Sequence, residues 1–452
     1  MLLGEQPQDQ SLCRSCLRCV RECPMGALSA PIHPEWQHLT DSSWTPEIIQ
    51  SILQQAETGK VPVSGQGYRG PFAGKDFDSM WTDMSEIVRP TRDGIHGREY
   101  ISTAIFLGRK PFFLSSPQHP VLEIPIPMLF DLMSQGFNTP SVHEALLRAA
   151  HTLGTFCVRK IEECPTPLPA ALAPLLRPGD VARYAAVIRQ ALLLELECDG
   201  VESVEHALAQ IRQINPNAVV AVRAEFDDEL AEELARAGVG VLHFVADAHG
   251  KTHKLGHIKD ALRAVHLRLL DRGLRDYVTI IVSGGIAAAE HVPKAIICGA
   301  DGVALDLVLL VALECWRGDG LRERFDPRWG AQRIINLIGA WRDQLLEVLG
   351  AMGMREVRRL RGEVGRAIFH EDLEREFKEY LRSGPIGTAR PEEIAVAVEN
   401  PNGIIPPITD PSAAAAAQLP PRALEIQNHH QRRVHHLWAV RRALSFWGLL
   451  AP

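Results

Sequence analysis

From about residue 121 onward, short apolar runs alternate with stretches in which apolar residues recur at helical spacing. This alternation is typical of βα units, whose strands are buried on both faces of a parallel sheet. Seven strands are predicted: Val121–Phe130, Thr155–Val158, Ala191–Glu197, Val219–Ala224, Val241–Val245, Val278–Val282 and Gly302–Leu305. Helices are predicted between them, the clearest being Val201–Ile214, Asp227–Ala237, Ile258–Arg272 and Ala288–Cys298.

The order of these elements predicts an α/β fold, a (β/α)8 TIM-type barrel. Seven strands are one short of a closed barrel, so we expect an eighth between residues 160 and 190. Periodicity alone also allows a doubly wound sheet. A helix is predicted at Pro46–Glu57, and two more, Ala331–Leu349 and Glu371–Arg382, are predicted to follow the barrel.

Composition narrows the class of protein. The chain has 452 residues, of which 46% are hydrophobic, and its net charge is −7. No Lys/Arg-rich block indicates a nucleic-acid partner, and no apolar run approaches the roughly 20 residues of a membrane span. The first residues lack the basic start and long apolar region of a signal peptide. We therefore expect a cytoplasmic protein.

Four of the nine cysteines lie close together near the N terminus, as Cys13, Cys16, Cys19 and Cys23, followed by Pro24. The spacing C-x2-C-x2-C-x3-C predicts a [4Fe–4S] cluster in a reducing compartment. Zinc is the alternative metal. Because a trailing Cys-Pro usually serves a second cluster, the fourth ligand is either Cys23 or a remote residue such as Cys164, which also precedes a proline.

A Ser283-Gly284-Gly285 turn stands between the predicted strand Val278–Val282 and a helix. Glycine backbone N–H groups there can approach a phosphate, and barrels often bind phosphate in the loops after strands seven and eight. A plain tight turn is the alternative. Gly299 and Asp301 then open the last strand.

Histidines mark two further places in the chain. His249 and His253 follow a predicted strand, where catalytic residues of barrels lie, and are candidates for acid–base chemistry. Near the C terminus, a basic helix carries four more histidines: His429, His430, His435 and His436. That helix is either a metal site or, with its aromatic residues, a surface for a partner.

The run Met84–Thr103 closely resembles the glutamate synthase family of archaeal type, in which a ferredoxin-like segment precedes an FMN-binding synthase domain. Three further segments resemble the family in the same order. These are the flavin loop Met133-Ser134-Gln135-Gly136, the phosphate end Ser283–Gly285 with Gly299–Asp301, and the closing helices Ala331–Met354.

The resemblance implies an FMN-dependent enzyme that makes glutamate from 2-oxoglutarate and ammonia. A glutaminase and an electron donor linked to NAD(P)H or ferredoxin would be separate chains of an oligomer or complex. Arg223 stands where the family often has a lysine, and could stabilise charge at the reduced flavin or form an ordinary salt bridge. The implied cofactor-binding residues are Met133, Ser134, Gly136, Arg223, Ser283, Gly284, Gly285, Gly299 and Asp301.

Several family features are altered. A glycine-rich, lysine-bearing loop is replaced by Glu197–Gly200, a Gly-Gly-Thr-Gly stretch by Asp247–His253, and only Cys315 remains of a cysteine-rich [3Fe–4S] loop. Asp306 stands where a glycine often faces the flavin phosphate. These departures favour a second hypothesis, a non-synthase electron-transfer or scaffold subunit of a larger redox complex, with or without its flavin.

The predicted division of the chain has five parts. They are a ferredoxin-like iron–sulfur segment (1–30), an irregular connection (31–110), an FMN-binding glutamate synthase-like barrel (111–385), a Pro- and Ala-rich linker (386–421) and a C-terminal helix (422–452).

Overall fold

A computed structural model of the chain describes residues 25, 27, 43–61, 76–82, 100–108, 120–133, 139–315 and 325–375. The backbone forms two compact units, residues 1–371 and 372–452. The barrel and every contact discussed below belong to the first unit.

Eight parallel strands close into a barrel in which each pairs with the next and the last pairs with the first. They are Met128–Phe130, Cys157–Lys160, Leu172–Leu176, Leu193–Glu197, Val219–Glu225, Val241–Val245, Thr279–Ser283 and Gly302–Leu305, numbered here as the first to eighth strands. Closure confirms the predicted TIM-type barrel and rules out the doubly wound sheet.

The third strand, Leu172–Leu176, is the one that the pattern had left between residues 160 and 190. All five of its residues are buried. Pro174 lies within it and pairs with Arg159 of the second strand. Because proline has no backbone N–H to donate, it seldom lies inside a sheet, and its presence masked an otherwise clear apolar run.

The predicted strand Val121–Phe130 is in fact two strands, which Pro125 and Pro127 separate. Only its second part enters the barrel. Leu122–Ile124 pairs antiparallel with Ile105–Leu107 instead. This hairpin packs against the amino-terminal end of the barrel, where Thr279 Oγ1 donates to the Phe106 carbonyl at 3.0 Å.

The helices agree with the predicted ones to within a few residues and add several that were not predicted. Their bounds are Pro46–Thr58, Pro140–Leu153, Ala185–Ile188, Val201–Ile214, Asp228–Arg236, Ile258–Asp271, His291–Cys298, Leu307–Ala312 and Pro327–Ala351. Only a short 3-10 turn, Ile161–Glu163, follows the second strand. Side chains of Thr45, Thr139 and Asp227 cap three of the helices at their start.

The long helix Pro327–Ala351 contains the first of the two predicted closing helices. Its Trp341 is fully buried and donates to Gln55 Oε1 at 2.8 Å, which joins it to the helix Pro46–Thr58. Residues 370–375 are helical and begin the second predicted closing helix, whose remainder lies outside the described residues. No helix within the described ranges is both long and apolar enough to cross a membrane.

Candidate functional site

Five polar side chains meet inside the barrel, toward the carboxyl ends of its strands. This inner polar cluster consists of Asp131, Glu195, Arg223, His243 and Ser283. Asp131 directly follows the first strand, and the others belong to the fourth, fifth, sixth and seventh strands. Catalytic groups of TIM barrels lie at this end, whereas layers of apolar side chains usually fill the interior.

Arg223 binds two carboxylates of the cluster. Its Nη1 and Nη2 donate to the two oxygens of Asp131 at 2.6 and 3.0 Å, and Nη1 also lies 3.3 Å from Glu195 Oε2. Burial alone would raise the pKa of Asp131, but the charges of Arg223 and His243 outweigh it and lower the pKa to about 2. Asp131 is therefore ionised at neutral pH.

Glu195, His243 and Ser283 form a buried chain of hydrogen bonds. His243 Nδ1 lies 2.7 Å from Glu195 Oε1, and Nε2 lies 3.1 Å from Ser283 Oγ. Which ring nitrogen donates in each contact depends on the tautomer of the imidazole. The two contacts hold the imidazole between Glu195 and Ser283, which fixes the orientation of the Ser283 side chain at the start of the glycine turn.

Asp306 lies next to this cluster. It follows the eighth strand as Asp131 follows the first, and the two strands pair Leu305 with Phe130. The Asp131 N–H donates to the Leu305 carbonyl at 2.8 Å. Asp306 Oδ1 is buried and has no hydrogen-bond partner among the described residues. Burial, and then the charge of Asp131, raise the pKa of Asp306 to about 6.

The turn Ser283-Gly284-Gly285 is packed against the loop that follows the sixth strand. Gly284 and Gly285 have φ of 95° and 69°, which side-chain-bearing residues rarely adopt. A Cβ on Gly284 would lie 2.5 Å from the Asp247 carbonyl oxygen, and one on Gly285 would lie 2.5 Å from Gly250 Cα. Within the described part of the chain, the N–H groups of these two glycines donate no hydrogen bond. Gly284 is buried and Gly285 is partly exposed, and these N–H groups are the donors that an anion bound at this turn would meet.

The three predicted catalytic residues lie in different surroundings. Only Arg223 is a member of the inner polar cluster. His249 is half-buried, in a turn whose N–H groups at His249 and Lys251 donate to Asp247 Oδ1 at 2.9 and 2.8 Å. His253 is exposed, between the short strands Lys251–Thr252 and Gly256–His257. A catalytic part for either histidine stays a prediction.

The predicted cofactor-binding residues are divided between the two ends of the barrel. Met133 is buried just after the first strand, at the same end as the Ser283 turn. Gly299 and Asp301 precede the eighth strand, so they lie at the amino-terminal end. There Asp301 binds Arg275 at 2.7 Å and Arg361 at 3.2 Å. These contacts give Asp301 a structural role, and a part in cofactor binding stays a prediction.

Other predicted site residues lie outside the described ranges: Ser134, Gly136, Cys13, Cys16, Cys19, Cys23 and the histidines of the C-terminal helix. Cys164 is described, and its Sγ lies 3.3 Å from the Lys160 carbonyl oxygen. Burial raises the pKa of the Cys164 thiol to about 12. No group of three His, Cys, Asp or Glu side chains within the described ranges is arranged to hold a metal. The iron–sulfur cluster therefore stays a prediction.

Sequence reasoning missed three members of the cluster, Asp131, Glu195 and His243. A signal was present, because Glu195 and His243 are isolated polar residues inside the apolar strands Leu193–Glu197 and Val241–Val245. A charged residue in a strand that is otherwise buried needs a partner, and inside a barrel that partner lies on another strand.

Comparison with known proteins indicates which proteins this chain resembles. Residues 252–318 match the conserved region in glutamate synthase. The archaeal-type glutamate synthase [NADPH] of Dehalococcoides mccartyi is 25% identical over 77% of this chain and 85% of its own length. The archaeal glutamate synthase [NADPH] of Archaeoglobus fulgidus is 26% identical over 82% of this chain and 89% of its own length. This chain is therefore similar to archaeal-type glutamate synthases over most of its length and to the family's conserved region over residues 252–318.

A shorter match has a higher identity. The archaeal glutamate synthase [NADPH] of Methanocaldococcus jannaschii is 40% identical over 23% of this chain and 24% of its own length. Among solved structures, flavocytochrome b2 with sulfite bound gives a TM-score of 0.42 at 14% identity, over 74% of this chain and 88% of that chain. A mandelate oxidase mutant gives 0.41 at 17% identity, over 65% of this chain and 92% of that chain.

Proposed function

We propose that this chain is the synthase subunit of a glutamate synthase-type oxidoreductase, which binds FMN at the carboxyl end of its barrel and forms glutamate from 2-oxoglutarate and ammonia. The observation that carries the proposal is the Ser283-Gly284-Gly285 turn, whose two glycines bear N–H groups without a partner among the described residues. Relatives named glutamate synthase [NADPH], which align over most of the chain, support the reaction type.

The residues of the turn fit a phosphate. Two successive left-handed glycines present N–H donors at the carboxyl end of the seventh strand, where barrels commonly bind phosphate. Met133 begins the loop on the other side of the eighth strand, and with Ser134 and Gly136 it would contact the flavin. When bound, FMN would supply hydride chemistry. Asp306 opposes an anion nearby, but a pKa of about 6 leaves part of its population uncharged near neutral pH.

The inner polar cluster would orient the substrate from inside the barrel. Asp131 occupies both terminal nitrogens of Arg223, so the guanidinium keeps one orientation and retains 15% exposure of its side chain. A fixed cation at the mouth would attract a substrate carboxylate through its charge. Glu195 and His243 hold the Ser283 hydroxyl at the base of the glycine turn. The cluster thus sets positions and excludes water.

The electron supply belongs to the same proposal. Cys13, Cys16, Cys19 and Cys23 would ligate a [4Fe–4S] cluster that passes single electrons to the flavin. A glutaminase and an electron-donor subunit, linked to NAD(P)H or ferredoxin, would be separate chains of a cytoplasmic complex. The NADPH in the names of the relatives favours a pyridine-nucleotide donor.

Anaerobic purification with assays for iron, sulfide and FMN tests the proposal. We expect about four irons and one FMN per chain, and glutamate formation from 2-oxoglutarate and ammonia with a chemical reductant. FMN that binds the wild type but not Gly285→Ala would assign it to the glycine turn. If FMN binds and no glutamate forms, even with the partner subunits added, the synthase activity is refuted.

The second candidate is an electron-transfer or scaffold subunit without flavin. Two observations favour it: the loop after the sixth strand lies close to both glycines, and the carboxyl of Asp306 lies beside the cluster. Purified protein that carries iron, and does not take up FMN when it is supplied, would decide for this candidate.

A further inference from the structure

Asp131 and Asp306 form a pair of neighbouring carboxyl groups whose pKa values are shifted in opposite directions. Each stands one residue beyond its strand, and the register of the first and eighth strands places them side by side. Asp131 is held by both terminal nitrogens of Arg223. Asp306 Oδ1 is buried and has no hydrogen-bond partner among the described residues.

The usual structural reason for an aspartate at this position is missing. Asp306 immediately precedes the helix Leu307–Ala312, where such a side chain commonly caps the first N–H groups. Here it makes no side-chain capping bond, although the backbone N–H of Leu307 acts on the carboxyl and by itself lowers its pKa. A buried carboxyl oxygen without a partner costs stability, so its presence points to a group that binds it and that the described residues do not supply.

The groups that face Asp306 explain why the pKa values of the two carboxyl groups shift in opposite directions. Asp131 and Arg223 are the charges that act on it, while Glu195 and His243 are engaged with Arg223 farther inside. Arg223 lowers the pKa of Asp131, whereas burial together with the Asp131 charge raises the pKa of Asp306 to about 6, so Asp306 is the one of the two that binds a proton more readily. Carboxyl pairs whose environments separate their pKa values in this way commonly divide into an acid and a permanent anion.

We propose that Asp306 is the proton donor of this site, acting on the substrate of the proposed amination, on which this inference rests. Ammonia adds to the carbonyl of a 2-oxo acid to give a carbinolamine. The O–H bond of Asp306 breaks as its proton goes to the carbinolamine hydroxyl. The C–O bond then breaks, its electron pair leaves with water, and the nitrogen lone pair forms the C=N bond of an iminium ion. Asp306 is left as a carboxylate and regains a proton from solvent.

Asp131 cannot replace it in this step. Two hydrogen bonds from Arg223 hold Asp131 in its ionised form, so it has no proton to give. The two carboxyl groups therefore have separate tasks: Asp131 anchors the arginine and Asp306 carries the transferable proton.

The test combines spectroscopy with kinetics on the full chain. Asp306→Asn keeps the size of the side chain and cannot titrate. The matched control is Asp271→Asn, at the exposed end of the helix Ile258–Asp271. Infrared difference spectra between pH 5 and pH 8 report the carbonyl stretch of any buried protonated carboxyl. We expect that band in wild type and Asp271→Asn, with a midpoint near pH 6, and its loss in Asp306→Asn.

Kinetics then test the donor role. In wild type, kcat/KM for glutamate formation should fall as pH rises through about 6, and Asp306→Asn should remove that limb and lower the rate by at least about 100-fold. An unchanged band in Asp306→Asn would overturn the protonated state. An unchanged rate would overturn the donor role. If the band behaves as expected but wild type makes no glutamate with its partners present, the proposed function and the donor role fall while the carboxyl pair stands.

Discussion

The guanidinium of Arg223 holds the carboxylate of Asp131 through two hydrogen bonds, with Nη1 2.6 Å from Oδ1 and Nη2 3.0 Å from Oδ2. These residues belong to the fifth strand and to the end of the first, which face each other across an eight-stranded barrel. The ion pair therefore ties opposite walls together inside the protein. The bidentate geometry fixes the relative orientation of the two side chains in addition to pairing their charges.

Breaking one side of this pair should destabilise the fold. Asp131→Asn leaves Arg223 with Glu195 as its remaining carboxylate partner, and we expect a loss of about 3–5 kcal/mol in the free energy of unfolding. Arg223→Met should cost a similar amount, because it leaves the carboxylates of Asp131 and Glu195 buried without their arginine partner. Denaturant unfolding of both single variants and the double variant measures the coupling. Additive losses would show that the two side chains do not depend on each other.

Replacement of Gly285 should damage the turn locally. Gly285→Ala places a Cβ 2.5 Å from Gly250 backbone atoms at a φ of 69°, so we expect loss of FMN binding and a lowered melting temperature. The matched control is Gly339→Ala in the helix Pro327–Ala351, where a Cβ meets nothing within 4 Å. That change should be neutral or stabilise by about 0.5–1 kcal/mol. Equal effects of the two substitutions would contradict the packing described here.

Asp306 should make stability depend on pH in a definite direction. Its pKa is higher in the folded chain, about 6 against an ordinary 3.8, so the folded state binds the proton more tightly. The resulting stabilisation is complete below pH 3.8 and is lost as pH rises through about 6. Relative to wild type, Asp306→Asn should therefore gain stability on going from pH 4 to pH 8, by up to about 3 kcal/mol. Melting temperatures across this range measure the gain, and a flat difference would refute it.

Asp301 offers a separate test at the opposite end of the barrel. Burial would raise its pKa, but Arg275 and Arg361 lower it, so its contribution is present at neutral pH and is lost on acidification. Asp301→Asn should destabilise the fold by about 3–5 kcal/mol, because Arg275 is fully buried. If Asp301 is structural, the variant that remains folded should bind FMN with unchanged affinity in a fluorescence titration. A lower affinity would support its predicted part in cofactor binding.

The fold was largely predictable because strands buried on both faces have a simple apolar signature. The exceptions have physical causes: Pro174 interrupts the third strand, and Pro125 and Pro127 divide what looked like one long strand. The site was less predictable. Glu195 and His243 can be recognised as site residues only when barrel closure brings them beside Arg223 and Ser283, which belong to other strands. The glycine turn and Arg223 were accessible because they stand at strand ends.

The hairpin of Ile105–Leu107 and Leu122–Ile124 packs against the amino-terminal end of the barrel, and side chains fill a barrel interior rather than leave a pore. Among the described residues, the amino-terminal end of the barrel is thus covered, and the inner polar cluster lies toward the opposite end. In the proposed reaction, ammonia and the oxo acid would therefore enter, and water would leave, at the carboxyl end of the barrel. Partner subunits that dock at that end would then determine the order of entry and release in each turnover.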